Sequence, residues 1–344
     1  MACKNIKKSA AILCGILFLN FLSCARTETS KVEFVLGTVC SITLFEQGQN
    51  GIYHEIFGRL REIENRMSVN IPSSDISRVN AAAGIEPVMV HDDVFKVTER
   101  SVHFARLSGG AFNPAIGPVV SLWGIGKDDP RVPSQSEIDV VLPLVNWRDI
   151  ELDARNSSVF LKKTGMALDL GSIAKGYAAD EAAAIVKKAG IKRAIIDLGG
   201  NIYVCGEKTD KSPWKVGIQN PEGKRAESAG TVLTDEKTIV TSGVYERFFE
   251  YEGIRYHHIF DPSTGYPADA ELLSATIIAS CSMDADALST AVFVLGRDKG
   301  IPLLRSIPGT EAVLIFKDSG IIATSGVNFS INDKNFYLKS TTPP

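Results

Sequence analysis

The sequence is poor in the residues from which many common catalytic sites are built. Only six cysteines and five histidines occur among 344 residues. None of the cysteines has C-x-x-C spacing and there is no H-E-x-x-H, so zinc-finger and zincin frameworks are excluded. The Walker G-x-x-x-x-G-K-[ST], the hydrolase G-x-S-x-G and the dinucleotide-binding G-x-G-x-x-G are also absent, which removes the mechanical core of P-loop, serine-hydrolase and Rossmann readings. Basic charge is not in excess either, with 37 Lys and Arg against 40 Asp and Glu. No basic stripe is interleaved with aromatics, so nucleic acid is not an expected partner.

Long apolar runs are likewise scarce, and the one at the start is informative. Lys4, Lys7 and Lys8 precede an apolar stretch from Ala10 to Leu22 that is too short to span a bilayer comfortably. Residues 1–23 therefore read as an export signal. Ser23 directly before Cys24 gives it the look of a bacterial lipoprotein signal, with 24–31 as a lipidated tether and 32–344 as the working domain. An unlipidated secreted or single-anchor protein is the alternative. Loss of the signal removes three lysines and no acid, taking the formal charge from -3 to -6. Cys3 and Cys14 leave with it. Cys40, Cys205 and Cys281 then remain in scattered apolar settings, read as core thiols and not as a disulfide scaffold.

What is present is an ordinary globular composition, 44% hydrophobic and 22% charged. Alternation predicts one or two strands in Val32 to Leu44, and Ile52, Ile56, Leu60, Ile63 and Met67 mark an amphipathic helix. Met67 to Asn80 reads as a turn-rich loop, and Asp92 to Leu107 as a second helix. The following segment, with Pro114, Pro118 and its glycines, is expected to pack without a regular element. The second half is mostly strand, punctuated by turns, until a helix begins near Ser282 with Ser282 as N-cap. The expected class is α+β, with mixed or antiparallel sheets, packed helices and two sub-lobes around a crevice; a doubly wound α/β sheet is disfavoured.

Three groups of polar residues stand apart from this framework. In Thr164 to Asp180, TGMALDLGSIAKGYAAD, a glycine-containing turn at Asp169 and Gly171 runs into a helix carrying Lys175. That arrangement suits an anion, because early helical N–H groups and a lysine face one place; an ordinary turn with Lys175 in solvent is the plain alternative. The second group joins Ser242, Gly243, Tyr245 and Arg247 to His257, His258 and Asp261-Pro262-Ser263-Thr264-Gly265. Strand alternation puts His257 and His258 on opposite faces, and turn hydrogen bonding is the competing role for each. The third is Asp284, Asp286 and Thr290. Asp286 and Thr290 share a helix face, where two oxygens suit a hard ion such as Mg2+, although acids at a helix start also answer the helix dipole.

Taken in order, Leu36-Gly37-Thr38, Met67-Ser68 with Asn80, Gly109 to Pro114, Asp169 to Tyr177, Leu198-Gly199-Gly200-Asn201, Thr241-Ser242-Gly243, His258-Ile259 with Asp261 to Gly265, and Asp286 to Thr290 resemble the ApbE family, bacterial FAD:protein FMN transferases, and in particular its spirochaetal lipoprotein members. The resemblance implies an ApbE-like, T-fold-related architecture and an exported, Mg2+-dependent enzyme with FAD as substrate. It further implies transfer of FMN to a Thr or Ser hydroxyl of an acceptor, typically a subunit of a membrane redox pump, with release of AMP. The implied location is periplasmic, held to the inner membrane by lipid on Cys24.

The same resemblance implies Asp286, Thr290 and the Ala167 carbonyl as metal ligands. For the flavin it implies Met67, Asn70, Ala111, Phe112, Asp169, Gly171, Lys175, Ser242, His258 and Thr276. His258 is the expected proton acceptor, with Asp284 and Asp261 as rivals and Lys175 on the diphosphate. Two positions depart from the family pattern: Asn70 stands where an aromatic is usual, and Asn113 where Asp is frequent. An open flavin site would admit water and turn transfer into hydrolysis of FAD to FMN and AMP. A non-catalytic flavin-binding lipoprotein is the reading from another class.

Overall fold

A computed structural model describes residues 29–46, 49–224, 227–269 and 271–340. The chain opens with a hairpin, β1 (Thr29–Val35) and β2 (Thr38–Leu44), whose turn residues Leu36 and Gly37 have φ of 57° and 64°. Next come α1 (Asn50–Met67), α2 (Asp75–Ala81), β3 (Val88–Met89), α3 (Asp92–Leu107), α4 (Gly117–Trp123), α5 (Gln135–Val141), β4 (Ile150–Asp153) and β5 (Ser158–Leu161). Helix α6 (Ala174–Lys188) leads into β6 (Ala194–Leu198), β7 (Asn201–Cys205), β8 (Trp214–Gln219), β9 (Ser228–Thr234), β10 (Lys237–Gly243), β11 (Phe248–Tyr251), β12 (Ile254–His257) and β13 (Leu272–Ala279). Helix α7 (Ser282–Arg305) and strands β14 (Glu311–Phe316), β15 (Gly320–Ala323), β16 (Asn328–Ile331) and β17 (Tyr337–Leu338) complete it.

The frame is a nine-stranded sheet ordered β1-β2-β6-β7-β10-β13-β14-β15-β17, antiparallel except for the last pair. Antiparallel register and alternation sort its side chains into two faces. Ile42, Ile196, Val240, Ala275 and Ile277 look toward α1, α6 and α7 and join the principal core. Ile195, Ile202, Ile239 and Ile278 look the other way, into a second core closed by the small sheet β16-β9-β8 with Trp214, Val216 and Val232. A third cluster packs Trp123 against Tyr256, Phe260 and Tyr266. The α+β class with antiparallel sheets is thus observed.

Helix α1 forms where the spacing predicts it, because Ile56, Leu60 and Ile63 recur on one face and are fully buried. Removing any one of these side chains to Ala would cost roughly 2–5 kcal/mol. Three expectations are corrected. The polar loop after Met67 contains α2, which Ser74 caps by accepting the Ser77 N–H at 3.0 Å while Ile76 and Val79 are buried. The segment with Pro114 and Pro118 is helical, a 3-10 turn followed by α4, because each proline occupies a first-turn position where no N–H partner is needed. The N-cap of α7 is Cys281 and not Ser282, which is already helical, and the helix runs to Arg305 across a break at Gly296 with φ 65°.

Cys40 and Cys205 are buried thiols, each pushed up to about 12 by burial, as expected for inert core residues. Cys24 lies outside the described residues. Among the described residues no helix is long and apolar enough to cross a membrane.

Candidate active site

The site forms where α6 meets the first turns of α7 on the helical face of the large sheet. Leu170 closes the glycine turn by accepting the N–H groups of Ile173 (3.1 Å) and Ala174 (2.9 Å) through its carbonyl. Asp169 accepts the Gly171 N–H at 2.8 Å, while its own N–H goes to the Pro114 carbonyl at 2.9 Å. Its carboxylate therefore holds the turn. The Gly176 N–H, which sequence reasoning aimed at a phosphate, instead donates to Asp286 Oδ2 at 2.9 Å. Three early N–H groups of this helix are thus used by the protein itself, and the anion-binding turn is reduced to Lys175 and its surroundings.

Asp286 is the buried acid of this junction, only 3% exposed. Burial pushes its carboxyl above the usual range, opposed by the charge of Lys175 and the Gly176 hydrogen bond. Lys175 Nζ lies 3.9 Å from Asp286 Oδ1 and donates to the Gly171 carbonyl at 3.0 Å. One turn further along α7, Thr290 Oγ1 lies 3.3 Å from Ser242 Oγ, which also meets Ser289 Oγ at 2.8 Å. Ser242 reaches them because Val240 and Ser242 of β10 face α7. The Ala167 carbonyl accepts the Gly117 N–H at 3.2 Å, leaving a second lone pair.

The chemistry of Asp286 and Thr290, a carboxylate and a hydroxyl one turn apart on α7, is of the oxygen kind a hard cation takes, although among the described residues no group of three His, Cys, Asp or Glu side chains gathers there. An ion held this way would draw on water and phosphate oxygens to complete its shell, as magnesium does and structural zinc does not.

The two adjacent histidines take different roles. His257 is buried, accepts the Ile259 N–H at Nδ1 and is held down to about 4 by burial. His258 is half-buried, with Nδ1 3.1 Å from the Arg247 carbonyl. A carbonyl can only accept, so Nδ1 carries the proton and Nε2 presents its lone pair. Burial, then the nearby Arg247 guanidinium, lowers His258 to about 3, which keeps the ring neutral. Arg247 also donates to the Gly37 carbonyl at 3.2 Å, bringing the β1–β2 turn to the same neighbourhood.

Several sequence-derived site residues are placed elsewhere. Asp284 is clamped by Arg100 of α3, Nε at 2.8 Å and Nη2 at 2.6 Å, so both its oxygens are already engaged. Asp261 accepts the Ser263 N–H and hydroxyl at 2.8 and 2.7 Å and shapes its own turn. Thr276 is fully buried and bonds Thr241 at 2.8 Å; the register puts both on the sheet face opposite α7, away from Ser242 and Asp286. Met67 and Phe112 are core side chains, Phe112 edge-on to Phe104, so neither offers its side chain to a ligand. Ala111 is half-buried at that segment's start, and Asn70 is exposed. Asn113 caps the 3-10 turn by accepting the Ala115 N–H at 3.0 Å, a task a charged Asp would also perform. Sequence reasoning missed Asp180 as a part of the site; its one signal was an acid one helical turn after a glycine.

The model of the ApbE family matches residues 36–314. The chain belongs to the ApbE family. Over 347 aligned residues it is 40% identical to an FAD:protein FMN transferase of Treponema pallidum, covering 95% of this chain and 96% of that protein. It is 36% identical to one from Klebsiella pneumoniae, with 90% and 96% covered. Among solved structures, an ApbE protein of Thermotoga maritima superposes with a TM-score of 0.80 at 33% identity, covering 87% of this chain and 97% of that one. The flavin transferase ApbE of Vibrio cholerae gives 0.76 at 25% identity, covering 88% and 96%. The ApbE match takes in the glycine turn, the His258 segment and the start of α7, so the residues assembled above all lie within the family's matched region.

Proposed function

We propose that the protein is an FAD:protein FMN transferase that uses Mg2+, Asp286 and Thr290 to cleave the FAD diphosphate and passes FMN to a Thr or Ser hydroxyl of an acceptor, releasing AMP. The observation that carries this reading is the meeting of the glycine turn with Asp286. It assembles a lysine, a buried carboxylate and hydroxyls at one junction, beside a family match that spans them. Asp286, Thr290 and the Ala167 carbonyl would hold the ion, which when bound supplies charge neutralisation on the diphosphate. Lys175 offsets negative charge on phosphate oxygens. His258 is the acceptor for the proton of the attacking hydroxyl by its tautomer, with Nε2 available; burial and Arg247 depress its basicity, and anionic phosphate oxygens beside the ring would raise it. Ser242 steers the Thr290 hydroxyl.

Water in place of the acceptor hydroxyl would yield FMN and AMP. This second reading is favoured by Asn70, an exposed amide that cannot cover an isoalloxazine ring as an aromatic can. Export, a lipid on Cys24, periplasmic attachment to the inner membrane and an acceptor in a membrane redox pump are parts of the proposal supported by the N-terminal pattern and the family resemblance. Incubation with FAD and Mg2+, with and without a candidate acceptor protein, checks the chemistry by mass. FMN gained by the acceptor supports transfer, FMN and AMP without acceptor support hydrolysis, and intact FAD in both reactions would refute both.

A further inference from the structure

Helix α7 lacks a cap of its own. Its N-cap residue is Cys281, which makes no side-chain cap bond, and Ser282 Oγ is turned away to Asn201 Oδ1 at 2.7 Å. The cap comes from another helix. Asp180 of α6 accepts the Ser282 N–H with Oδ1 at 2.8 Å and the Met283 N–H with Oδ2 at 2.9 Å, and the Cys281 thiol donates to Oδ2 at 3.4 Å. One turn earlier on α6, Gly176 donates to Asp286 and lies so close to α7 that an added Cβ would meet the Ser282 carbonyl at 2.2 Å. Helix α6 therefore grips α7 twice, at positions four residues apart, and the second grip is on the carboxylate assigned to the metal.

We infer that Asp180 is a positioning residue: it fixes the start of α7 against α6 so that Asp286 and Thr290 are presented together to the cation. The inference rests on the metal reading of Asp286. A carboxylate is required because two N–H groups arrive, one at each oxygen; an amide would offer one acceptor and set its NH2 against the other donor. Capping alone would be satisfied by any acceptor at residue 281. Positioning needs the acceptor to belong to α6.

That difference supplies the test. Magnesium binding to the mature protein is measured by calorimetry without FAD, with thermal unfolding in parallel, for wild type, Asp180→Asn, and the pair Cys281→Asp with Asp180→Ala. Asp180→Asn should weaken magnesium binding on the order of tenfold, the usual scale for losing a residue that orients a ligand. The double variant, with a cap in cis, should regain thermal stability while binding stays weakened. Val216→Ala in the second core is the control, expected to lower stability and leave binding unchanged. Recovery of binding together with stability in the double variant, or binding within twofold of wild type in Asp180→Asn, would overturn the inference alone. No magnesium uptake by wild type would overturn the metal site and the inference with it. If Asp180→Asn does not fold, the double variant decides.

Discussion

Gly176 and Asp286 form the contact on which the site turns: the Gly176 N–H donates to Asp286 Oδ2 at 2.9 Å across two helices 110 residues apart in sequence. Glycine is required there for space, since its φ is helical and any Cβ would collide with the Ser282 backbone. Gly176→Ala should therefore cost about 1–3 kcal/mol through overpacking, despite the higher helix propensity of Ala. Urea unfolding measures the loss, and FAD turnover should fall with it because α7 must shift.

Asp286→Asn should separate stability from function. Burial raises the folded carboxyl above its unfolded value, so at neutral pH the ionised group favours the unfolded chain. An amide removes that cost and can still accept the Gly176 N–H. Without magnesium, the variant should melt at or above the wild-type temperature. Added magnesium should raise the wild-type melting temperature and leave the variant's unchanged, with FAD turnover lost.

The histidines predict an acid-side loss of stability. His257 and His258 are held to about 4 and about 3 in the folded state, below an unfolded value near 6.5. The unfolded chain binds more protons between these values, so stability is fully present above about pH 6.5 and declines as pH falls toward 4. His257 alone corresponds to about 3 kcal/mol by pH 4, one pKa unit being about 1.4 kcal/mol. Denaturant midpoints measured from pH 7 to pH 4 should show a shallower decline in His257→Gln.

His258→Gln and Asp284→Asn discriminate the proposed base from one of its rivals. The first should lower FAD turnover by about 10²–10⁴-fold, the range of a lost general base, while magnesium binding by calorimetry is kept. The second should stay within a few-fold of wild type, because Asp284 is already committed to Arg100. The reverse order in steady-state rates would reassign the base.

Asn70→Tyr should change the partition of products more than the overall rate. An aromatic at this exposed position can cover the flavin and exclude water. The ratio of FMN on the acceptor to FMN in solution, read by mass, is expected to rise. An unchanged ratio would remove Asn70 as the determinant.

Much of the framework was legible because it is local. The burial of Ile56, Leu60 and Ile63 follows from helical spacing, and the β1–β2 hairpin from alternation broken at Gly37. Local patterns failed where a residue's role depends on its starting position, as with Pro114 and Pro118 at first helical turns, or where polar residues conceal a short helix such as α2. Thr276 entered as a flavin residue only through the family resemblance; register decides its face, and one position of shift from Ala275 sends its side chain to the side opposite α7.

The sequence by itself put Asp286 and Thr290 on one helix face through their spacing, and it joined them to the glycine turn and the His258 segment only through the ordered resemblance to the ApbE family. Only the tertiary structure decided what each group does. It spent the Gly176 N–H on Asp286, neutralised Asp284 with Arg100, fixed the His258 tautomer through the Arg247 carbonyl and capped α7 from Asp180. The reason is physical: spacing along a chain fixes which residues share an element's face, whereas hydrogen-bond and charge partners come from distant segments whose approach is set by the packing of helices on the sheet.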